Sequence, residues 1–242
     1  YRKYLVRHPL FCLWVSFEPN TAKHLCANSL RFETVQPQDK LFIAETTSNA
    51  AYYLFSGALK YSVRGAAARQ DVHWPVEKES WISEATLWTH WVHVGTALAN
   101  TNCQFLVVTP DGVLEAMQKH MLIEEITESY SQLFHARLVS ACVPEAHDFP
   151  TDVAVPFTGF ERMVWWMPKE LQMEIARRTL GRDGSSWFGN SHTRELLEEV
   201  LVGGTVILPN QTCEPERVIF RVEVEIFASA VASPEIRGCV LV

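Results

Sequence analysis

No stretch of this 242-residue sequence approaches the roughly 18 consecutive apolar residues that a bilayer-spanning helix needs. No low-complexity tract, signal peptide or lipidation pattern is visible either. Cysteine is sparse, at positions 12, 26, 103, 142, 213 and 239, and no pair has C-x-x-C spacing. That excludes a zinc-finger framework or a dense disulfide scaffold and points to buried reduced thiols. Positive charge is in deficit: the net charge of −7 argues against a nucleic-acid polymer as partner. It leaves room for one small anion in a local pocket. Phosphate-loop chemistry is missing too. Gly181-Arg182-Asp183-Gly184 lacks the Lys and the Walker spacing and reads as a turn.

Metal and hydrolase chemistry are likewise incomplete. His90 and His93 stand three apart, but with Glu84 or His73 they make no H-E-x-x-H and no cysteine set, so no metal site is expected. Ser191 and His192, with Cys213 or Asp183, lack a nucleophile elbow and a glycine-rich oxyanion loop. Ser191 and Thr193 read better as helix caps, and the Arg177-Arg178 pair as a helix C-terminal complement to the dipole. The chain is expected to catalyse nothing. Starting at Tyr1 rather than Met, it is expected to be a piece of a longer protein.

What is present is a change of period along the chain. Residues 1–29 read as helical, interrupted by Pro9, with Asn20 as the N-cap of a short second helix. From Leu30 to Val108 short apolar runs alternate with turn signals. The runs include Ala51–Phe55, Leu59–Val63, Val72–Val76 and Cys103–Val108, a density that suggests a small antiparallel barrel or jelly roll. Helix period returns after Pro110. One stripe holds Val113, Met117, Met121 and Leu122, and a longer one runs from Ile123 to Leu138. Residues 143–159, with three prolines and Gly159, read as a connector. Beyond them Lys169–Leu180 and Thr193–Val202 read as helices, and Val206–Leu208, Val218–Phe227 and Gly238–Val242 as strands.

One local run is the most specific. Trp81-Ile82-Ser83-Glu84-Ala85-Thr86-Leu87 is followed, nine residues after Glu84, by His93. With His8-Pro9-Leu10-Phe11, Val35-Gln36-Pro37-Gln38-Asp39 and Tyr52–Leu59, in that order, it resembles the cyclic-nucleotide-binding domain family over residues 1–140. In that family a Gly-Glu-x-x-Leu run opens a short helix, the Glu takes the ribose hydroxyl, and an Arg nine residues on grips the cyclic phosphate. Here Ser83 stands for the Gly and His93 for the Arg. An Arg offers a charged fork of donors, whereas an imidazole with an ordinary pKa of about 6.5 is mostly neutral at neutral pH. The loss of a charge-assisted contact, about 1.5–3 kcal/mol, implies roughly ten- to hundredfold weaker nucleotide binding.

The expected fold class is α+β: an antiparallel, jelly-roll-like β-roll flanked by helices over 1–142, a linker over 143–159, and a small α+β module over 160–242 of unknown role. The resemblance implies a regulatory domain of a larger protein, a voltage-gated cation (potassium) channel, with Tyr1–Phe11 as the coupling end and Ile123–Leu138 as the helix that moves. The alternatives are a regulatory domain of a cyclic-nucleotide-dependent kinase or other signalling enzyme, and an interaction domain that has lost its ligand. The degenerate ligand site would comprise Ser83, Glu84, Ala85, Thr86, Leu87, His93 and Val94. No cofactor is required, and cAMP or cGMP is expected as a weak regulatory ligand at most. Partners would be that nucleotide, the rest of the polypeptide at the cytosolic face of a membrane, and other copies assembled through the channel. Trp81, Trp88 and Trp91 are expected to pack rather than to stack a purine.

Overall fold

The computed structural model describes residues 1–64, 71–141, 149–180, 206–208 and 220–222. Three short helices lead: α1 (Arg2–Leu5), α2 (Pro9–Phe17) and α3 (Pro19–Asn28). Pro9 and Pro19 each open a helix, where a missing N–H leaves nothing unsatisfied and a fixed φ is already helical. The cap of α3 is therefore not Asn20. Pro19 takes the first helical position and moves the cap back to Glu18, whose carboxylate accepts the Asn20 N–H at 3.4 Å.

Eight strands follow: β1 (Leu30–Val35), β2 (Lys40–Phe42), β3 (Ala51–Ser56), β4 (Leu59–Arg64), β5 (Asp71–Val76), β6 (Ser80–Ile82), β7 (Thr96–Ala99) and β8 (Cys103–Val108). They form two four-stranded sheets, ordered β1-β8-β3-β6 and β2-β7-β4-β5, with every pairing antiparallel. This is the expected antiparallel β-roll. Between β6 and β7 the chain leaves the sheets for a single 3-10 turn, Glu84–Leu87. Gln38, in the Pro-containing turn where the family has Gly, has φ 73°, the left-handed conformation that Gly adopts most cheaply.

The helical half resumes with α4 (Pro110–Met117) and α5 (Met121–Ser140), so the stripe read from Val113 to Leu122 crosses a break between two helices. Then come α6 (Phe160–Trp166), α7 (Lys169–Leu180), β9 (Val206–Leu208) and β10 (Phe220–Val222), the last two paired antiparallel. The expected helix Thr193–Val202, the strand Gly238–Val242 and the remainder of Val218–Phe227 lie outside the described residues. Among the described residues no helix is long and apolar enough to cross a membrane.

Strands β3 and β8 explain why the roll and the helices are one packed unit. Both are apolar on both faces, the pattern of a strand covered on two sides rather than one. Tyr52, Leu54, Phe105 and Val107 point into the roll, where they meet Phe42, Leu59, Tyr61 and Ile82. Ala51, Tyr53, Leu106 and Val108 belong to the second core, with Phe11 and Trp14 of α2 and Ile126, Tyr130 and Phe134 of α5. Met163 and Met167 of α6 and Leu171 and Ile175 of α7 bury in that second core too. At about 1.5–3 kcal/mol per fully buried large apolar side chain, those four contribute to docking the C-terminal helices. Inside it, Trp14 Nε1 donates to Thr127 Oγ1 at 3.0 Å, tying α2 to α5 by a satisfied buried bond.

Candidate functional site

Ser83 enters the 3-10 turn with φ 57°, again the left-handed conformation that explains a Gly in relatives. From there the expected site residues diverge. Ala85 and Leu87 turn into the core among the helices. Thr86 is buried and donates its hydroxyl to Ser48 Oγ at 2.6 Å, so it braces the loop before β3. Glu84 turns toward the helices as well. Only Ser83, His93 and Val94 converge on one point, and that point is already filled.

The occupant is Asp152, from the stretch read in the sequence as a connector. A tight turn presents it: Thr151 N–H donates to Ala154 O at 2.9 Å, and the Thr151 hydroxyl accepts from Ala154 N–H at 3.1 Å. Its carboxylate is fully enclosed. Oδ1 accepts from Trp91 Nε1 and from His93 Nδ1, both at 2.7 Å. Oδ2 accepts from the Tyr61 hydroxyl at 2.7 Å and from the backbone N–H groups of Val94 and Gly95, both at 2.9 Å. The main chain is held too, Ser83 N–H donating to Asp152 O at 2.5 Å. A carboxylate only accepts, so His93 Nδ1 carries the proton. The imidazole lies flat on Phe42, with centroids 3.8 Å apart and planes 3° apart.

The electrostatics match the geometry. Burial alone would raise the Asp152 carboxyl, but the hydrogen bonds from His93, Tyr61, Trp91 and Gly95 together outweigh it and hold the group below the usual carboxylate range. Burial, reinforced by Asp152 beside it, pushes the Tyr61 phenol well above its usual range, so it remains a donor. Gly95 is required by space. A Cβ there would lie 2.5 Å from Tyr61 Cζ and 2.6 Å from Ser62 O. The anion is thus bound by the start of β7 and its approach, not by the N–H groups of the 3-10 turn.

Glu84 forms a separate centre. Its Oε1 accepts from His8 Nε2 and the Tyr130 hydroxyl, both at 3.0 Å, and from Trp88 Nε1 at 3.3 Å. Burial would raise its carboxyl, but the His8 charge and the bonds from His8, Tyr130 and Trp88 lower it overall. The residue expected to take a ribose hydroxyl instead joins the leading helices, the 3-10 turn and α5.

The remaining candidates do not assemble. His73 and His90 are exposed, and His93 is committed to Asp152. Among the described residues no three His, Cys, Asp or Glu side chains could hold a metal ion together. Ser83 Oγ lies 3.4 Å from His93, but at the same Nδ1 that Asp152 occupies, so the three make no proton relay. Ser191, His192, Cys213 and Asp183 lie outside the described residues. Trp81 packs on Tyr53 and Trp88 on Tyr130, as expected, but Trp91 serves the anion. Sequence reasoning missed Tyr61, Trp91, Gly95 and Asp152. The Gly two residues after His93 was the one available signal.

No protein-family model matches the sequence, and no curated protein is similar to it. Solved structures are. The N-terminal domain of a transcriptional regulator from Streptomyces coelicolor is 17% identical over 60% of this chain and 99% of its own, with a TM-score of 0.47. The sensor domain of the regulator DNR from Pseudomonas aeruginosa is 20% identical over 57% of this chain and 96% of its own, at 0.43. The C-linker and cyclic-nucleotide-binding homology domain of zELK channels is 16% identical over 47% of this chain and 60% of its own, at 0.37. The strand pairing itself, rather than these likenesses, defines the β-roll.

Proposed function

We propose that this chain is a cyclic-nucleotide-binding-like regulatory domain of a larger protein, with its anion position closed by its own Asp152. The observation that carries this reading is the enclosed Asp152 carboxylate on His93, the residue that stands for the phosphate-gripping Arg. The segment around Asp152 acts as a latch between the roll and α6–α7. Regulation then passes through seating or release of the latch rather than through nucleotide capture. The setting we favour is a voltage-gated cation channel, on the resemblance of His8–Phe11 to the leading helix of channel members.

Titration calorimetry with cyclic AMP and cyclic GMP tests the reading. At about pH 7.5 wild type should bind either nucleotide weakly or not at all, and His93→Arg alone should restore little, because Asp152 would pair with the new guanidinium. Submicromolar wild-type affinity would overturn the reading.

A further inference from the structure

The cradle has a shape and charge of its own. Five donors address two oxygens, and Asp152 satisfies them all from a planar group. The walls leave no slack: Tyr61 fills the space that a Cβ at Gly95 would need, and Phe42 backs the His93 ring. Among the described residues no Lys or Arg pairs with Asp152, and His93 alone can bring a positive charge. A tetrahedral phosphate or phosphodiester is larger, carries more oxygens than the donors reach, and relies on fixed cationic forks to offset its desolvation. A single buried carboxylate needs only hydrogen bonds and one imidazole.

We propose that Tyr61, Trp91, His93, Val94 and Gly95 form a carboxylate-binding site that accepts a small free carboxylate in place of Asp152 and discriminates against phosphate and phosphodiesters. This rests on the reading that Asp152 occupies the anion position of the domain. A free carboxylate is therefore the class of ligand that competes with the latch.

The test uses the whole chain with Asp152→Gly, which empties the cradle. Thermal melts and refolding yields are compared in formate, acetate, phosphate and cyclic AMP at matched ionic strength. Formate should raise the melting temperature or the yield saturably, with acetate weaker and the others no better than chloride. Direct binding is read by NMR of carbon-13 formate. Adding Tyr61→Phe should weaken formate binding about tenfold, the effect of one lost hydrogen bond to a charged group. Wild type, whose own Asp152 keeps the cradle full, should show no formate effect. Stabilisation of Asp152→Gly by phosphate or cyclic AMP above formate overturns this proposal while leaving in place the reading that Asp152 closes the anion position. No effect or recovery in any anion overturns the site altogether. Tight nucleotide binding by wild type sinks the preceding reading, and it sinks this one as well only if Asp152→Gly also fails to respond to formate.

Discussion

At the scale of single residues, Asp152 is a buried charge that is stabilising only because it is fully bonded. Breaking such a group by Asp152→Asn removes the charge and turns an amide N–H₂ toward donors, at a cost of about 3–5 kcal/mol near neutral pH. Its carboxyl is depressed in the folded state, so its contribution is present above the unfolded pKa of about 3.9 and is lost as pH falls through the lower folded value. The stability gap between wild type and Asp152→Asn should accordingly be flat from neutral pH down to about pH 4 and then close on further acidification. Urea melts across that range measure it. A gap that grows with acid would mean that Asp152 is neutral in the fold.

At the scale of elements, Glu84 decides how the helices sit on the roll. It draws together His8 at the N-cap of α2, Trp88 just after the 3-10 turn and Tyr130 of α5. Glu84→Gln keeps the shape and loses the charge. It should cost about 1–3 kcal/mol and speed amide exchange in the middle of α5 and around residue 8. The sheet β2-β7-β4-β5 should keep its protection. Exchange mass spectrometry distinguishes this from a uniform loss, which would mean that Glu84 is no joint. The elements with strong local signals were legible in the sequence. Short apolar runs between turn signals name β3, β4, β5 and β8, and helix period names the leading helices and α5, whereas the short strands β6 and β7 and the break between α4 and α5 carry too little pattern to be read. The pairings of Glu84 with His8 and Tyr130 and of His93 with Asp152 were not legible, because the partners lie 76, 46 and 59 residues away and no periodicity links them. The Asp152 turn reads as loop chemistry for a good reason: Thr-Asp between prolines is a turn, and only the roll beneath it makes that turn a latch.

At the scale of the whole molecule, the described contacts between the roll with its helices and the C-terminal helices include an apolar one and a polar one. Met163, Met167, Leu171 and Ile175 bury in the core shared with α2 and α5, while Asp152 seats in the cradle. Gross burial of four such side chains is about 6–12 kcal/mol, comparable with the roughly 4–15 kcal/mol that two separate bodies lose in freedom on associating. Those four side chains are therefore of the same order as the cost of association, so the buried carboxylate is large enough to matter to the hold. A protease site placed between Ala141 and Phe149 turns this into a measurement. After cleavage the wild-type fragments should stay together in gel filtration at micromolar concentration. With Asp152→Asn they should separate, since about 3 kcal/mol corresponds to a weakening of more than a hundredfold. If the nicked wild type falls apart at once, the latch does not hold the helices. If nicked Asp152→Asn remains associated as tightly as wild type, the hold is apolar only, and release of Asp152 could not by itself transmit a signal from the roll to α6 and α7.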